Sequence, residues 1–264
     1  MVTSQWDELV VRDCGHGFDE FGLSQSWIRR ALKVSAFLYQ YYFRVQSWGM
    51  EKVKSPSPLI FIANHGGTIP LDGVMLYHDI IRNIKPKRLP RPVADHFVSL
   101  VPGIGTLMAR LGVVGGSRAN VEFLLEKKES LIIFPEGVTG IAKPYSQKYK
   151  IQDWRQGHVE LAIKYRAALV PTAIIGSEEQ MPLLGKMESF GFLGLPYLPI
   201  PLTLFPFPVK YHIVYGKPYY PHRDLGGSDK VTPHPEVIKK IADKSKKMLE
   251  DLLKEGMAKR KGLF

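Results

Sequence analysis

Three short, largely apolar runs, each followed by glycine or polar residues, constrain the fold of this chain more than any other feature. They occupy residues 59–63, 131–134 and 169–174. Short apolar runs without polar alternation are typical of strands covered on both faces, as in parallel sheets. Stretches with helical periodicity lie between them. The sequence therefore predicts an α/β fold, with a mixed, mostly parallel sheet flanked by helices.

Helical periodicity, with apolar residues three or four positions apart, marks much of the remaining chain. The predicted helices cover residues 27–45, 72–82, 103–111, 120–129 and 157–166 and the tail from residue 232, and further strands are predicted at 92–98 and 211–215. Without an internal repeat or a clear linker, we predict an N-terminal helical segment, residues 1–54, followed by an α/β domain, residues 55–264. The domain is expected to end in a basic amphipathic helix.

The amphipathic helix at residues 27–45 fits two environments. Its apolar face, which includes Trp27, Leu38 and Tyr41, can pack on the domain core or lie in a membrane interface with its cations on anionic lipid. The two interpretations are compatible, because opposite faces of one helix can serve both. The aromatic and proline-rich residues 190–207 offer a second surface of this kind, or a loop that covers the core.

Charge and cysteine content narrow the classes of partner. Lysine and arginine number 36 against 25 aspartates and glutamates, a net charge of +11 that predicts anionic partners. Cys14 is the only cysteine, so one chain can form neither an internal disulfide nor a cysteine-rich metal site. Glu178 and Glu179 have no third ligand grouped with them and are predicted to be a solvated charge pair, so no metal is predicted.

The sequence predicts neither a secretory signal nor a membrane-spanning helix. The first 20 residues do not match the pattern of a secretory signal. Residues 189–209 are uncharged and long enough to cross a bilayer, but they contain five prolines. Because proline breaks a helix interior, we do not expect a spanning helix there.

The loop after the first predicted strand contains a candidate general base. His65 and Asp72 lie seven positions apart across a loop rich in glycine and proline. If the loop folds back, the carboxylate accepts a hydrogen bond from one ring nitrogen and fixes the tautomer, which leaves the other nitrogen to take a proton. A histidine in such a loop can equally be a structural hydrogen-bonding residue.

Further loops place glycine and charged residues at predicted strand or helix ends, where open α/β sheets bind ligands. Arg118 is suited to grip a phosphate with two donors, or it is a plain surface arginine. Glu136 can accept from a substrate hydroxyl or hold local backbone N–H groups, and the N–H groups after His65 are candidate oxyanion donors. The residues predicted to contact substrate are Asn64, Gly66, Gly67, Ser117, Arg118, Glu136, Gly137 and Lys143.

Four blocks of residues follow one another with a characteristic order and spacing. They are Asn64-His65 with Asp72, Gly116-Ser117-Arg118, Phe134-Pro135-Glu136-Gly137 and Val170-Pro171-Thr172-Ala173. Over residues 55–180 this pattern resembles the PlsC-like glycerolipid and lysophospholipid acyltransferases. The resemblance implies that His65 deprotonates an acceptor hydroxyl, which attacks an acyl thioester, and that Asp72 orients His65. It also implies that Arg118 and the Glu136-Gly137 block bind the acceptor head group.

Two departures from the family pattern bear on the substrate. Six residues rather than four separate His65 from Asp72, so the assignment of Asp72 depends on a bulge at the glycine pair after His65. After Gly137 the chain continues Val138-Thr139-Gly140, where many members have threonine and arginine. Lys143 is then the nearest cation, and the smaller number of phosphate partners leaves neutral lipid alcohols open as acceptors.

We therefore predict an O-acyltransferase that moves a fatty acyl group from an acyl-CoA or acyl-carrier-protein thioester to a lysophospholipid, a diacylglycerol or another lipid alcohol. No cofactor is expected, since the thioester is a co-substrate. We expect peripheral attachment to an anionic membrane surface on its cytoplasmic face. Two alternatives are a lipid thioesterase or hydrolase that uses the same two residues, and a basic nucleic-acid-binding protein, although no recognised nucleic-acid-binding motif occurs.

Overall fold

The parts of the chain that the computed structural model describes form two sheets. These parts are residue 9 and residues 11–67, 69–188, 197–225 and 233–264. The larger sheet contains β1 (Gln46–Trp48), β2 (Leu59–Ala63), β3 (Pro90–Ala94), β4 (Val114–Gly115), β5 (Ser130–Ile133), β6 (Ala168–Ile175) and, later in the chain, β9 (His212–Tyr215). The smaller sheet is the antiparallel pair of β7 (Leu183–Glu188) and β8 (Tyr197–Pro201).

The larger sheet is mixed and mostly parallel, which confirms the predicted fold class. Its spatial order is β1-β9-β6-β2-β5-β3-β4. The five strands from β6 to β4 run in one direction, whereas β9 is antiparallel to β6 and pairs in parallel with β1. Because β6, β2, β5 and β3 are parallel neighbours, their carboxyl ends meet along one side of the sheet, which we call the carboxyl edge.

Helices flank this sheet, and the bounds of several of them lie close to the predicted ones. They are α1 (Gln25–Phe37), α2 (Leu71–Asn83), α3 (His96–Leu100), α4 (Ile104–Arg110), α5 (Arg118–Glu126), α6 (Val138–Ile141), α7 (Gly157–Lys164), α8 (Ser177–Gln180) and α9 (Pro235–Lys259). A π-helical turn at Leu38–Tyr42 continues α1, and 3-10 turns occupy Met50–Lys52, Tyr145–Gln147 and Pro221–Leu225. The basic C-terminal helix predicted from the sequence is α9, whose apolar stripe is buried.

Two hydrophobic cores lie on opposite faces of the sheet, because successive strand residues point in opposite directions. In β2, Phe61 belongs to the core that includes Tyr39 and Ile80. Its neighbour Ile60 belongs to the core formed with α5, α7 and α9, which includes Leu124. All five residues of β2 are buried, and this double coverage explains why the run is apolar without alternation.

The helix predicted at residues 27–45 ends earlier than expected. Its α-helical part is α1, and after the π-helical turn the chain leaves helical geometry at Arg44, whose φ is +44°. Residues 46–48 then pair with β9. The Gln-Ser-Trp triplet is too short and too polar to be predicted as a strand, and only its pairing with β9 shows that it is one.

The helix α1 packs on the domain with one face and is open on the other. Ile28 and Leu32 are buried against Ile81 of α2, which matches the core-packing interpretation. On the opposite side, 69% of Val34 and 60% of Phe37 are exposed. Since residues of the π-helical turn also enter the core that includes β2, this segment shares the core of the α/β domain, and the boundary after residue 54 stays a prediction.

Two further predicted segments differ from the structure or fall partly outside it. The strand predicted at residues 92–98 is wrong beyond Ala94, because Asp95 takes the N-cap position of a helix that begins at His96. Residues 189–196 of the aromatic and proline-rich segment lie outside the described residues. Within the described ranges, the model contains no helix that is both long and apolar enough to cross a bilayer.

Candidate active site

The carboxyl edge gathers polar residues that are distant in sequence. His65 follows β2, Glu136 follows β5 and Glu178 follows β6, while Asp72 lies in the first turn of α2. β2 is flanked by β5 and β6, so the loops after these three strands are adjacent. This topology assembles one site around His65.

His65 and Asp72 are in direct contact. The distance between His65 Nδ1 and Asp72 Oδ2 is 2.6 Å, and Asp72 is fully buried. The backbone N–H of Gly66 donates to the same oxygen at 3.0 Å, and the N–H of Gly73 donates to Oδ1 at 2.7 Å. Three donors therefore hold the carboxylate, which fixes the imidazole with Nδ1 toward Asp72. The contact predicted from the sequence is confirmed.

The His65 ring rests on an aromatic side chain that the sequence analysis did not assign to the site. Phe134 stacks on the imidazole with ring centroids 4.2 Å apart and an interplanar angle of 20°. The His65 side chain retains 14% exposure, and Nε2 has no hydrogen-bond partner among the described residues. Phe134 is the first residue of the block Phe134-Pro135-Glu136-Gly137, so this block could have identified it as a site residue.

Opposing influences set the pKa of His65. Burial lowers it, whereas the Asp72 charge, the hydrogen bond to Asp72 and the Glu136 charge raise it. The net result is a pKa above the ordinary value of histidine. At acidic pH His65 is thus protonated and cannot act as a base, and the neutral form appears as the pH rises.

We expect this charge balance to appear in the pH dependence of turnover. Because His65 can accept a proton only in its neutral form, kcat/KM should rise with pH through an apparent pKa above that of free imidazole. Asp72→Asn removes the charge that raises the pKa, so the acidic limb should move to lower pH, while the plateau falls about 10²-fold or more because the ring is no longer oriented. Initial rates across a pH series check both effects. An unshifted acidic limb in the variant would contradict the assignment.

Glu136 holds backbone groups rather than facing solvent. Its Oε1 accepts from the His65 backbone N–H at 3.1 Å, and its Oε2 accepts from the Gln152 N–H at 2.7 Å. The side chain is buried. Both oxygens are therefore occupied by the protein, which matches the local structural interpretation of Glu136 and not contact with a substrate hydroxyl.

Lys143 joins Glu136 to Glu178 beneath the His65 loop. Its Nζ lies 3.3 Å from Glu136 Oε2 and 3.1 Å from Glu178 Oε1, and only 2% of its side chain is exposed. Glu178 Oε2 also accepts from the Tyr149 N–H at 3.0 Å. Burial raises the pKa of Glu178 to about 7, although Lys143 and the Tyr149 N–H lower it. We call Glu136, Lys143 and Glu178 the buried ionic cluster.

The burial of the cluster bears on two predictions. Lys143 is enclosed between two carboxylates, and its contact with substrate stays a prediction. Glu178 and Glu179 are not a solvated pair, since both are more than nine-tenths buried. Glu179 accepts from the Tyr149 hydroxyl at 2.9 Å and pairs with Arg260 at 2.6 Å. Adjacent glutamates on a short helix look exposed in sequence, and only the folded chain supplies these partners.

Glycines allow the loops to approach one another closely. A Cβ on Gly66 would lie 2.2 Å from Glu178 Cγ, and one on Gly140 would lie 3.1 Å from His65 Cβ. Gly67 has φ of +88°, which confirms the unusual backbone predicted at this pair. The N–H of Gly66 is committed to Asp72, so it is not an oxyanion donor. The N–H of Gly67 has no hydrogen-bond partner in the described parts of the chain.

Asn64 is occupied by the sheet. Its Oδ1 accepts from the Ile174 N–H at 2.8 Å and its Nδ2 donates to the Ile174 carbonyl at 2.9 Å. The side chain is fully buried. This amide therefore ties the end of β2 to β6 and orients the loop that contains His65, and its contact with substrate stays a prediction.

The second block lies apart from the other three. Arg118 follows β4, which is three strands from β2, or about 14 Å at the usual strand spacing. Its guanidinium pairs with Glu122 at 3.2 Å and Glu160 at 2.7 Å. Ser117 caps α5 by accepting from the Asn120 N–H at 3.2 Å. The structure therefore gives both residues protein partners, and their contact with substrate stays a prediction.

Arg155 is the main site residue that the sequence analysis missed. Its Nη1 donates to Asp95 Oδ1 at 2.9 Å, and its Cζ lies 2.7 Å from the position that a Cβ on Gly137 would occupy. Gly137 has φ of +55°, a backbone conformation that favours glycine. Arg155 lies outside the four blocks and beside no other motif, so no local signal identifies it.

Metal binding receives no support from the described residues, because no three His, Cys, Asp or Glu side chains are grouped there as a metal would require. The polar groups at the carboxyl edge instead hold one another and the backbone. What the arrangement can do chemically is accept a proton at His65 Nε2, because the other ring nitrogen is held by Asp72.

Comparisons with known proteins identify the family of the chain. Residues 44–175, half of the chain, match a family model described as Acyltransferase. An uncharacterized protein of Mycobacterium tuberculosis is 30% identical over 260 residues, which cover 94% of this chain and 72% of that protein. A human protein named "DGAT1/2-independent enzyme synthesizing storage lipids" is 31% identical over 176 residues, 64% of this chain and 52% of that protein.

A solved structure shows the same fold. The crystal structure of the 1-acyl-sn-glycerophosphate acyltransferase PlsC from Thermotoga maritima matches 89% of this chain and 81% of its own, with a TM-score of 0.55 and 18% sequence identity. Together with the sequence matches, it confirms the resemblance carried by the four blocks. The chain belongs to the acyltransferase family and has the fold of PlsC.

Proposed function

We propose that this acyltransferase moves a fatty acyl group from an acyl-CoA or acyl-carrier-protein thioester to a lipid hydroxyl, with His65 as the general base and Asp72 as the residue that orients it. The observation that carries the proposal is the 2.6 Å contact between His65 Nδ1 and the buried Asp72 carboxylate. It leaves Nε2 at the carboxyl edge, where a hydroxyl can approach.

The reaction requires two proton transfers, one to His65 and one from it. His65 Nε2 takes the hydroxyl proton as the oxygen attacks the thioester carbonyl, and a tetrahedral oxyanion forms. When the carbon–sulfur bond breaks, the imidazolium returns its proton to the leaving thiolate. The N–H of Gly67 is the candidate donor to the oxyanion. Neither an acyl-enzyme nor a cofactor is needed, because the thioester is already activated.

The lipid nature of the acceptor has support from the relatives. The human protein is named for storage-lipid synthesis and the Thermotoga protein for acylation of a glycerophosphate. Both names concern lipid synthesis, and lipid acceptors with or without a phosphate share the hydroxyl on which the proposed chemistry of His65 depends. We therefore propose a glycerolipid hydroxyl as the acceptor.

Product analysis tests the proposal. Purified protein is incubated with an acyl-CoA or an acyl-carrier protein and with liposomes that contain lysophospholipids, monoacylglycerol, diacylglycerol or long-chain alcohols, and the products are identified by mass spectrometry. An acylated lipid that forms only when its acceptor is present supports the transferase. Free fatty acid alone, formed at the same rate without an acceptor, would show that water is the acceptor and would overturn the proposal.

We also propose peripheral attachment to a membrane through an apolar ridge, on the cytoplasmic face that the sequence analysis predicts. The ridge joins the outer side of α1 to the loop after β8: Val34, Phe37, Tyr41, Leu204 and Phe205, which are 60% to 82% exposed. The Tyr42 hydroxyl donates to the Pro206 carbonyl at 2.5 Å, which holds the two parts together. Exposed apolar residues beside the cations of α1 suit an anionic lipid surface.

Vesicle sedimentation tests the ridge. Since burying a phenylalanine contributes about 1.5–3 kcal/mol, Phe37→Ser with Phe205→Ser should weaken binding to phosphatidylglycerol vesicles at least about tenfold. Val237→Ser with Met257→Ser removes exposed apolar residues of α9 and serves as the matched control. Equal sedimentation of the ridge variant and the wild type would show that the ridge does not contact lipid.

A further inference from the structure

A basic cavity lies on the side of the sheet opposite to His65, where β3 and β5 begin. Residues 87–89 directly precede β3, residues 127–129 directly precede β5, and the two strands are parallel neighbours. An open cavity of about 270 Å³ lies between these segments and the N-terminal segment. Since the strands contain four or five residues, it is about 13 Å or more from the loops at the carboxyl edge. We call it the amino-edge cavity.

Positive charge dominates the wall of this cavity. Six cationic side chains and two acidic ones line it. The cations are Arg12, Lys87, Arg88, Arg91, Lys127 and Lys128, and the acids are Asp19 and Glu129. A concave surface with such an excess of one charge concentrates ions of the opposite sign. The amino-edge cavity is therefore suited to an anion.

Both carboxylates of the wall are already paired. Glu129 contacts Arg12 through Oε1 and Arg91 through Oε2, the second at 3.0 Å. Asp19 Oδ2 lies 2.5 Å from Arg91 Nη1, and Asp19 Oδ1 accepts from the Leu23 N–H at 2.7 Å. These ion pairs hold the N-terminal segment against the sheet. The two acids balance the two arginines and leave no counter-charge for the lysines at the start of β5.

Three cations of the wall make no ion pair within the described parts of the chain: Arg88, Lys127 and Lys128. Arg88 Nη2 donates to the Ser55 carbonyl at 2.5 Å, and burial lowers the pKa of this guanidinium with no anion to offset the effect. Lys127 Nζ lies 5.6 Å from the centroid of the Phe123 ring. Both lysines are exposed. These cations can therefore receive an anion without breaking an ion pair.

Two enclosed donors in the same wall also lack an acceptor. Arg88 Nε and Arg91 Nη2 are buried and have no hydrogen-bond partner among the described residues. Only 2% of the Arg91 side chain is exposed. A buried charged donor without an acceptor costs free energy, and an anion in the adjacent cavity would offset part of that cost. These donors point to an anion independently of the charge of the wall.

A phosphate monoester matches this wall better than a carboxylate does. It carries a charge of about −1.5 to −2 at neutral pH and offers three acceptor oxygens, so one group can contact a guanidinium and two ammonium groups together. A carboxylate has two oxygens and a single charge. The cavity has the volume of about nine water molecules, which accommodates a phosphate that carries a small body such as glycerol.

We propose that the amino-edge cavity is a second binding site, which takes a phosphate monoester through Arg88, Lys127 and Lys128. The site is separate from the carboxyl edge, so it does not rest on the proposed function. Because Arg12 and Asp19 form one side of it, bound phosphate would hold the N-terminal segment on the sheet. A soluble phosphate ester and the head group of phosphatidic acid present the same chemistry to this site.

Calorimetry with sn-glycerol 3-phosphate at fixed ionic strength tests the site. Lys127→Gln with Lys128→Asn should weaken binding about tenfold, because it removes two of the three cationic contacts. Asparagine suits the second position, since Lys128 has φ of +57°. Arg88→Gln should weaken binding by a similar factor. Lys239→Gln with Lys240→Asn removes two adjacent exposed lysines of α9 that do not line the cavity, and this matched control should bind as the wild type does.

The matched control makes the result specific to the cavity. Binding at the carboxyl edge would be equal in the wild type and in both lysine variants. Equal loss in the two lysine variants would show that net charge is responsible and would overturn the proposal. Unchanged affinity of the Lys127→Gln, Lys128→Asn variant, or no saturable binding to the wild type, would overturn it as well. Circular dichroism confirms that each variant folds, and saturating ligand should raise the Tm of the wild type and the control more than that of the cavity variant.

Vesicle binding separates the two sources of the phosphate. Phosphatidic acid presents a monoester, whereas the phosphate of phosphatidylglycerol is a diester with one charge. If the cavity variant loses a preference for phosphatidic acid that the control keeps, the ligand is a lipid head group. If the loss is confined to sn-glycerol 3-phosphate, the ligand is a soluble ester, and both results support the site. None of these measurements needs turnover, so a failure of the proposed function would leave them unaffected.

Discussion

Replacing His65 by alanine is expected to lower kcat/KM by about 10²–10⁴-fold, the factor that a positioned general base contributes. In the proposed reaction His65 Nε2 accepts the proton at the carboxyl edge, and the other ring nitrogen lies 2.6 Å from Asp72 Oδ2. The backbone N–H of His65 keeps its bond to Glu136 in the variant, so the loop should stay in place. Initial rates with an acyl-CoA and the acceptor found by product analysis check the effect.

A second substitution separates the loss of the base from the loss of the ring. His65→Gln keeps a polar group toward Asp72 but has no basic nitrogen, so it should be as inactive as His65→Ala. His234→Ala removes a histidine with 72% side-chain exposure and should leave activity unchanged. Circular dichroism confirms that each variant folds. Activity of His65→Gln within tenfold of the wild type would show that His65 is not the base.

Replacing Lys143 by methionine is expected to cost about 3–5 kcal/mol in the free energy of unfolding, because it leaves two buried carboxylates without their cation. Both Glu136 and Glu178 are within 3.3 Å of Nζ. Urea denaturation measures the change. Activity should fall as well, since Glu136 holds the His65 backbone N–H.

The pKa of Glu178 predicts how the destabilisation by Lys143→Met changes with pH. Burial raises the pKa of Glu178 to about 7, and Lys143 lowers it, so Lys143→Met should raise it further. When a carboxyl has a higher pKa in the folded than in the unfolded state, the protein becomes less stable as the pH rises from the unfolded-state pKa through the folded-state pKa. Below the raised pKa a proton neutralises Glu178. The destabilisation by Lys143→Met should therefore be larger at alkaline than at acidic pH.

Matched variants make the stability result specific to the buried ionic cluster. Lys148→Met removes a lysine with 39% exposure that pairs with Glu179, and it should cost less than about 1 kcal/mol. Adding Glu178→Gln to Lys143→Met removes one unpaired charge and should restore part of the lost stability. An unfolding free energy of Lys143→Met within about 1 kcal/mol of the wild type would contradict the role of Lys143.

The sheet was predictable because its strands are covered on both faces. Residues 59–63 are apolar at every position, and the structure buries every one. The short strand at residues 46–48 was not predictable, since its pairing with β9 spans more than 160 residues of sequence and leaves no local pattern. The helix at His96 escaped detection for a related reason: the apolar residues around it fit a strand equally well until Asp95 takes the N-cap position.

The pairing of His65 with Asp72 could be proposed from chemistry, although the spacing of the two residues is unusual. Glycine at residues 66 and 67 permits the backbone that brings Asp72 back to His65, and the structure shows that contact. The partners of Lys143 were not predictable. A lysine three residues after a glycine looks like a free cation until the loops after β5 and β6 close around it.

By itself, the sequence determined the fold class, the positions of the buried strands at residues 59–63, 131–134 and 169–174, the family and the pairing of His65 with Asp72 as a candidate, because each of these depends on residue type and short-range spacing. The tertiary structure decided which charged residues are buried and which are exposed. Glu136, Lys143 and Glu178 form an internal cluster, whereas Arg155 stands exposed beside Gly137. The reason is physical: the partner and the solvent exposure of a charge are set by strands that are neighbours in the sheet and distant in the chain.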